Sequence, residues 1–295
     1  MYNARMSTLP AHPQLQALRD IVTCCTLCPR KCRVNRTIGE VGRCGIGAEA
    51  VVVSAGAHFG EESCLSGPGG SGTIFFAGCN LACVFCQNAD ISRSGKGQPV
   101  SAEGLATLAL ELQRHGCANI NFVTPTHVAH AMAEAIVRAR AGGLTVPVVY
   151  NSGGYDLAST LRLLEGLIEV YMPDFKWADA QAAGAYSAAP DYPQVAREAL
   201  EEMYRQVGPL VLDDRGLATR GVLVRHLVMP DDLAASHGVI DIVADAAPGC
   251  SINIMAQYHP AFHDMEYPAL AKTTDPADIV ALRDYARDRG LRLVD

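Results

Sequence analysis

The chain has 295 residues, 49% hydrophobic and 19% charged, with a formal net charge of −7. That length buries a full core and matches one large α/β barrel or two small domains. The acidic balance argues against a nucleic-acid partner, because phosphate neutralisation needs clustered Lys and Arg; the one basic run, RKCRVNR at 30–36, is interleaved with cysteine and reads as compensation for thiolate charge.

No segment offers eighteen uninterrupted apolar residues, and the opening MYNARMSTLPAHPQLQ lacks the apolar run of a signal peptide, so no membrane partner and a cytoplasmic address are expected. Thiols stay reduced there, and eleven cysteines in uneven clusters read as metal ligands rather than as a disulfide framework. The first cluster is CCTLCPRKCRVNRTIGEVGRC, with Cys25, Cys28, Cys32 and Cys44. Three close thiols and a distant fourth suit a second iron–sulfur cluster or a structural zinc, and the spacing does not choose between them. Cys24 is an extra thiol that can stand in for Cys25. In HFGEESCLSGPGGSG, residues 58–72, His58, Glu61 and Glu62 are candidate polar groups, with a solvated acidic turn as the alternative.

From residue 73 a strand–loop–helix rhythm begins. TIFFAG (73–78) reads as a strand, followed after a long loop by a helix capped by Ser101 and stopped by Gly116. NINFV (119–123) leads into a helix over about 127–141, VPVVYN (146–151) into one near 156–164, and LIEVYM (167–172) into a further loop. A helix over about 192–207 carries Asp191 as cap, Pro193 in its first turn and Gly208-Pro209 as stop. LVLDDRG reads as a strand entering a turn; then come a strand GVLVRHLVM (221–229), a helix over about 231–246, a strand SINIMAQY (251–258) and a last helix from Asp275-Pro276 to Gly290. Six strands alternating with helices predict a parallel sheet with right-handed crossovers, either an incomplete barrel or an open doubly wound sheet. In both, chemistry gathers at the C-terminal strand ends.

GCNLACVFCQN (78–88) falls at such an end, just after the first of these strands. Cys79, Cys83 and Cys86 are one too many for a disulfide and one too few for a closed zinc site. In a reducing compartment their spacing suits a four-iron, four-sulfur cluster held by three thiolates, the fourth iron left open. Buried structural thiols, or a zinc site completed from elsewhere, are the plainer alternatives.

The stretch CNLACVFCQN resembles the signature of radical S-adenosylmethionine enzymes. SGTIFFAGCNLACVFCQNADIS, YMPDFKW, RGVLVRHLVMP and INIMAQYHP are similar to the branch grouped with pyruvate formate-lyase activating enzymes, over roughly residues 20–270. The resemblance implies an incomplete (βα)6 TIM-type barrel over residues 71–295 behind an N-terminal cysteine-rich extension, 1–70. It implies an oxidoreductase with a [4Fe-4S] cluster and S-adenosyl-L-methionine as cofactors, which a reductant such as flavodoxin or ferredoxin drives to a 5′-deoxyadenosyl radical that abstracts hydrogen. The substrate is then a backbone glycine of a glycyl radical enzyme, or a small molecule, peptide or other protein; a non-catalytic iron–sulfur or zinc scaffold is the alternative outside enzymology.

Carried over by position, the resemblance makes Cys79, Cys83 and Cys86 the cluster ligands and puts Phe85 near the adenine. The family's Gly-Gly-Glu stretch is replaced here by FVTPTH, so Thr124 and Thr126 are offered as acceptors for the S-adenosylmethionine amino group. Asn151, Gln257 and His259 fall where the cofactor is faced, Arg225 can pair with its carboxylate, and Asp174 with Lys176 is the candidate catalytic pair. Asp174 and Lys176 can also be read as a surface ion pair, and Asn151 as part of a turn. Arg225 and His226 alternate along a strand, so one faces inward, and a buried Arg requires an anion. Cys117 and Cys250 read as core thiols. The loop HPAFHDMEYPALAK (259–272) is placed to close over a substrate.

Overall fold

The computed structural model describes residues 12–93, 95–260 and 266–295; the N-terminal leader reading and the centre of the 259–272 loop lie outside them. Among the described residues ten strands form one sheet: β1 (Ala50–His58), β2 (Ser71–Phe76), β3 (Gln98–Val100), β4 (Ile120–Val123), β5 (Val148–Ser152), β6 (Val170–Pro173), β7 (Val211–Leu212), β8 (Ala218–Leu227), β9 (Ser251–Met255) and β10 (Arg292–Leu293). Its order is β10-β9-β8-β6-β5-β4-β2-β1-β3, with β7 paired to β8. From β2 to β10 along this path every pairing is parallel, while β1 and β3 add antiparallel at the β2 side. This is a mostly parallel α/β sheet, consistent with a partial barrel.

The helices are α1 (Pro13–Ile21), α2 (Ser63–Ser66), α3 (Ala89–Ser92), α4 (Ala102–Arg114), α5 (Ala129–Ala141), α6 (Ala158–Arg162), α7 (Ala180–Ser187), α8 (Tyr192–Val207), α9 (Ser236–Ala246) and α10 (Pro276–Asp288). Local chemistry sets their bounds. Ser101 caps α4 by accepting from Gly104 N, and Asp275 caps α10 by accepting from Ala277 N. The helix expected from 231 begins only at Ser236, because Asp231, Asp232 and Ala235 hold φ near +50° and break the helical path.

Period-two alternation divides the strand side chains between two apolar clusters. Ile74, Phe76, Ile120, Phe122, Tyr150, Val222, Val224 and Ile252 belong to the large core packed with the helices. Val149, Val170, Met172 and Leu223 belong to a smaller cluster on the opposite face, with Cys64 and Leu65 of α2 beside them. Residues 50–66, on the N-terminal side of the expected boundary at 70, thus contribute a strand to the sheet and a plug to its second face. That plug brings the sequence Glu61-Glu62 under the strand ends.

Candidate active site

The turn after β2 starts at Gly78, whose φ is +79° and whose added Cβ would lie 2.5 Å from the Cys44 carbonyl oxygen. Only glycine permits that approach. Beyond it, Cys79, Cys83 and Cys86 line a cavity of about 300 Å³ with Phe75, Phe85, Thr124, Asn151, Asp174, Lys176, Arg225, Met255 and Gln257. The loop is tied from behind: Val84 N donates to Tyr186 O at 2.9 Å, Arg93 Nη2 to Cys83 O at 2.7 Å, and Asn80 Nδ2 to Tyr155 O at 2.7 Å. Ser187 Oγ sits 3.0 Å from Cys83 Sγ and accepts from Trp177 Nε1 at 2.9 Å, while Ser92 Oγ lies 3.3 Å from Cys86 Sγ. Burial pushes the Cys79 thiol up to about 12, and the Cys83 thiol also rises. Buried thiols of this kind ionise when a cationic centre compensates them.

Opposite the cysteines, a polar network spans β5, β6 and β8. Asp174 Oδ2 accepts from Lys176 Nζ at 2.6 Å and its Oδ1 from Arg225 Nε at 3.0 Å. Arg225 also donates to Asn151 Oδ1 at 2.7 Å and reaches Glu61 Oε2 at 3.4 Å. Burial alone would raise the Asp174 carboxyl, but the Lys176 and Arg225 charges outweigh it and hold that carboxyl below its ordinary value. Glu61 goes the other way, desolvation raising it against the pull of Arg225. With side chains 18–20% exposed, Asp174, Lys176 and Arg225 are not a solvent-washed surface pair. Nor is the Glu61-Glu62 turn solvated: Glu62 is 6% exposed and accepts from Asn253 Nδ2. His226 points to the helices, between Phe175 O and Ser236 Oγ.

The structure does not bring every sequence-predicted residue to the cavity. Thr126 is 2% exposed and is not among the residues that line the cavity; the buried carboxylate on its side, Asp156, accepts from Tyr150 and Ser152. His259 is exposed, 3.2 Å from Gln87 Nε2, and is not among the lining residues. Thr124 does line the cavity, at φ +59°, an unusual conformation for a β-branched residue, with its N–H held by Asn151 O. Sequence reading missed Tyr192, at the start of α8: its hydroxyl accepts from Lys176 N and lies 2.9 Å from both Gly153 O and Asp174 O. Only its place after the Asp191 cap was visible.

The N-terminal thiols form a second, smaller cavity lined by Cys25, Cys28, Cys32 and Cys44 with Arg36 and His127. Cys24 is exposed, its Sγ toward Arg33 O, and does not replace Cys25. Among the described residues no three Cys, His, Asp or Glu side chains converge as ligands for a single ion. The Cys79, Cys83 and Cys86 sulfurs are spread around a void, a donor set that fits a polynuclear centre anchored at three corners.

The model of the radical SAM superfamily matches residues 73–174, from β2 to the aspartate of the polar network. The chain contains a radical SAM superfamily domain. Over 95% of its length it is also 28% identical to "Uncharacterized protein MJ0674" of Methanocaldococcus jannaschii, covering 79% of that protein. A radical SAM domain implies a four-iron, four-sulfur cluster, S-adenosylmethionine and a reductant, and supports a radical SAM enzyme in general. The three thiols and Asp174 lie within the matched residues, and Lys176 and Arg225 lie beyond them. Among the described residues, no helix is long and apolar enough to cross a membrane.

Proposed function

We propose that the chain is a radical SAM oxidoreductase whose cavity holds the cluster on Cys79, Cys83 and Cys86 and receives S-adenosylmethionine against the opposite wall. The observation that carries this reading is the apposition of three cysteines to the Asp174–Lys176–Arg225–Asn151 network in one cavity. When bound, the cluster supplies the electron that cleaves the sulfonium of S-adenosylmethionine, releasing methionine and a 5′-deoxyadenosyl radical for hydrogen abstraction. Arg225 and Lys176 offer cationic donors to the methionine carboxylate, and Asp174 holds both in place. Thr124 and Asn151 present oxygen acceptors to the amino group, and Phe85, packed edge-on against Trp177 at 5.5 Å, offers an apolar wall for the adenine. Gln257 stands at the rim.

In this reading residues 71–295 are an incomplete (βα)6 barrel and 1–70 its cysteine-rich extension, with a metal centre on Cys25, Cys28, Cys32 and Cys44. A cavity of about 300 Å³ is at the low end for a single small ligand. Once S-adenosylmethionine occupies it, the hydrogen donor has to be presented at the open side. This favours an extended peptide segment, such as the glycine loop of a glycyl radical enzyme, and agrees with the resemblance of YMPDFKW and INIMAQYHP to activating enzymes. A small-molecule substrate is the competing reading.

Electron paramagnetic resonance of the anaerobically reduced protein tests the cofactor arrangement. Addition of S-adenosylmethionine is expected to shift the cluster signal in wild type and not in Arg225→Gln at the same concentration; an unperturbed wild-type signal would contradict it. A glycine-centred doublet on a co-incubated partner enzyme would select the activase reading.

A further inference from the structure

We propose that Glu61 is a positioning residue of the cofactor wall, one that shares Arg225 with the carboxylate of a bound ligand and takes up a proton when that carboxylate arrives. This role rests on the radical SAM reading, in which Arg225 meets the methionine carboxylate. Glu61 lies just before α2, in the plug on the second face of the sheet. The plug is pinned where it stands: Asn119 Nδ2 donates to Leu65 O at 2.7 Å, Ser66 Oγ to Glu61 O at 3.1 Å, and Leu65 N to Glu62 O at 2.8 Å. The Glu61 side chain, 8% exposed, is thereby held among the strand side chains. Its Oε1 accepts from Asn121 Nδ2 of β4 at 3.1 Å, and its Oε2 lies 3.4 Å from Arg225 Nη1 of β8.

The side-chain partners of Arg225 are not equivalent. Asn151 Oδ1 at 2.7 Å and Asp174 Oδ1 at 3.0 Å belong to residues that line the cavity, whereas Glu61 is not among the lining residues and makes the longest of the three contacts. Glu61 therefore meets a ligand through Arg225, and its contact is the one that yields most readily. A carboxylate is the ligand group that competes for this guanidinium, because its two oxygens match the paired N–H donors and its charge opposes theirs.

The charges around Glu61 already carry a negative excess. Arg225 and Lys176 stand against three carboxylates, Asp174, Glu61 and Glu62, and His58 of β1 is the further titratable group that acts on Glu61. Burial raises the Glu61 carboxyl against the pull of Arg225, Glu62 and Asp174 add to the rise, and His58 opposes it. A ligand carboxylate on Arg225 offsets part of that pull, so Glu61 then holds a proton at a pH where it was ionised before. Asp174 stays ionised, since it keeps Lys176 Nζ at 2.6 Å beside Arg225. The neighbourhood has a use for the proton: among the described residues Glu62 Oε2 and Asn121 Oδ1 are buried acceptors with no hydrogen-bond partner. The proton comes from solvent, no covalent bond of the chain forms or breaks apart from the carboxyl O–H, and no electron moves.

Equilibrium dialysis of S-adenosylmethionine against the anaerobically reconstituted protein, between about pH 5.5 and 7 and so below the titration of the ligand's own α-amino group, reads this proton. Because the complex binds more protons than the free protein, wild-type affinity is expected to rise by about threefold or more as pH falls across that window. Glu61→Gln should remove the slope and His58→Gln should keep it. Decarboxylated S-adenosylmethionine, which retains the ammonium and sulfonium groups, should bind wild type without it. A slope that persists in Glu61→Gln, disappears in His58→Gln or is equal for the two ligands overturns the proposal. Should Glu61→Gln not fold, calorimetric titration of wild type in two buffers of different ionisation enthalpy counts the protons directly. Uptake with S-adenosylmethionine and none with the decarboxylated ligand supports the role; release, or no exchange with either, rejects it. Binding that is tight but independent of pH would sink the proton uptake alone, whereas no binding at any pH would also sink the radical SAM reading beneath it.

Discussion

Arg225 Nε lies 3.0 Å from Asp174 Oδ1, and the same guanidinium reaches Asn151 Oδ1 at 2.7 Å, so one side chain joins β5, β6 and β8 at the mouth of the cavity. Removing one member of a largely buried pair leaves the other charge uncompensated. Arg225→Gln is expected to cost about 2–4 kcal/mol in chemical denaturation, toward the low side of buried pairs because the network keeps some solvent contact. It should also weaken S-adenosylmethionine binding at least tenfold by equilibrium dialysis. Unchanged affinity would remove Arg225 from the cofactor wall.

Tyr192 positions the other end of this network. Its hydroxyl is the acceptor for Lys176 N and a neighbour of two carbonyls, all partly buried. Tyr192→Phe leaves these groups unsatisfied without changing the ring, at a cost of about 1–3 kcal/mol. Denaturant titration beside wild type measures it; a loss under a few tenths would show that the hydroxyl does not hold the Asp174–Lys176 segment.

Gly154 and Gly166 separate crowding from backbone strain. Both have positive φ, +76° and +82°, but a Cβ on Gly154 would meet Asp174 O at 2.1 Å whereas one on Gly166 meets nothing within 4 Å. Gly166→Ala is expected to cost about 1 kcal/mol from conformation alone. Gly154→Ala should cost at least about 3 kcal/mol, because the Asp174 segment has to move. Equal losses in thermal and chemical unfolding would argue that the segment yields freely.

Buried histidines set an acid limit. Burial lowers His226 and His130 to about 4, below the ordinary value of 6.5. Their folded-state values lie below their unfolded ones, so the unfolded chain binds more protons between about pH 6.5 and 4. The stability they contribute is fully present above pH 6.5 and is lost as pH falls toward 4, by up to about 1.4 kcal/mol per pH unit for each histidine. Unfolding free energies at pH 7.5, 6 and 5 check this; His226→Gln should flatten the slope.

The parallel strands and most of their helices were legible from apolar runs with capping and stop residues, such as Ser101 and Gly116 around α4. The antiparallel strand β1 was not: twelve residues that include α2 separate it from β2, so the pair lacks the tight two- to five-residue turn by which a hairpin is read from sequence. The cysteine loop announced itself because its spacing is local. Arg225 was visible as a charge within a strand, but its link to Glu61, 164 residues away, exists only in the folded chain. Thr126 was misplaced for a related reason. Thr124 holds φ +59°, and the turn through Pro125 takes Thr126 out of the cavity lining; neither periodicity nor spacing encodes that rotation.

The most direct test is formation of 5′-deoxyadenosine by anaerobically reconstituted protein with dithionite and S-adenosylmethionine, followed by chromatography and mass spectrometry beside a Cys83→Ala control. Accumulation in wild type and its loss in the control is the predicted result. Its absence from wild type with a verified, reduced cluster, tested with and without a candidate hydrogen donor, would contradict the radical reading and leave an iron–sulfur scaffold.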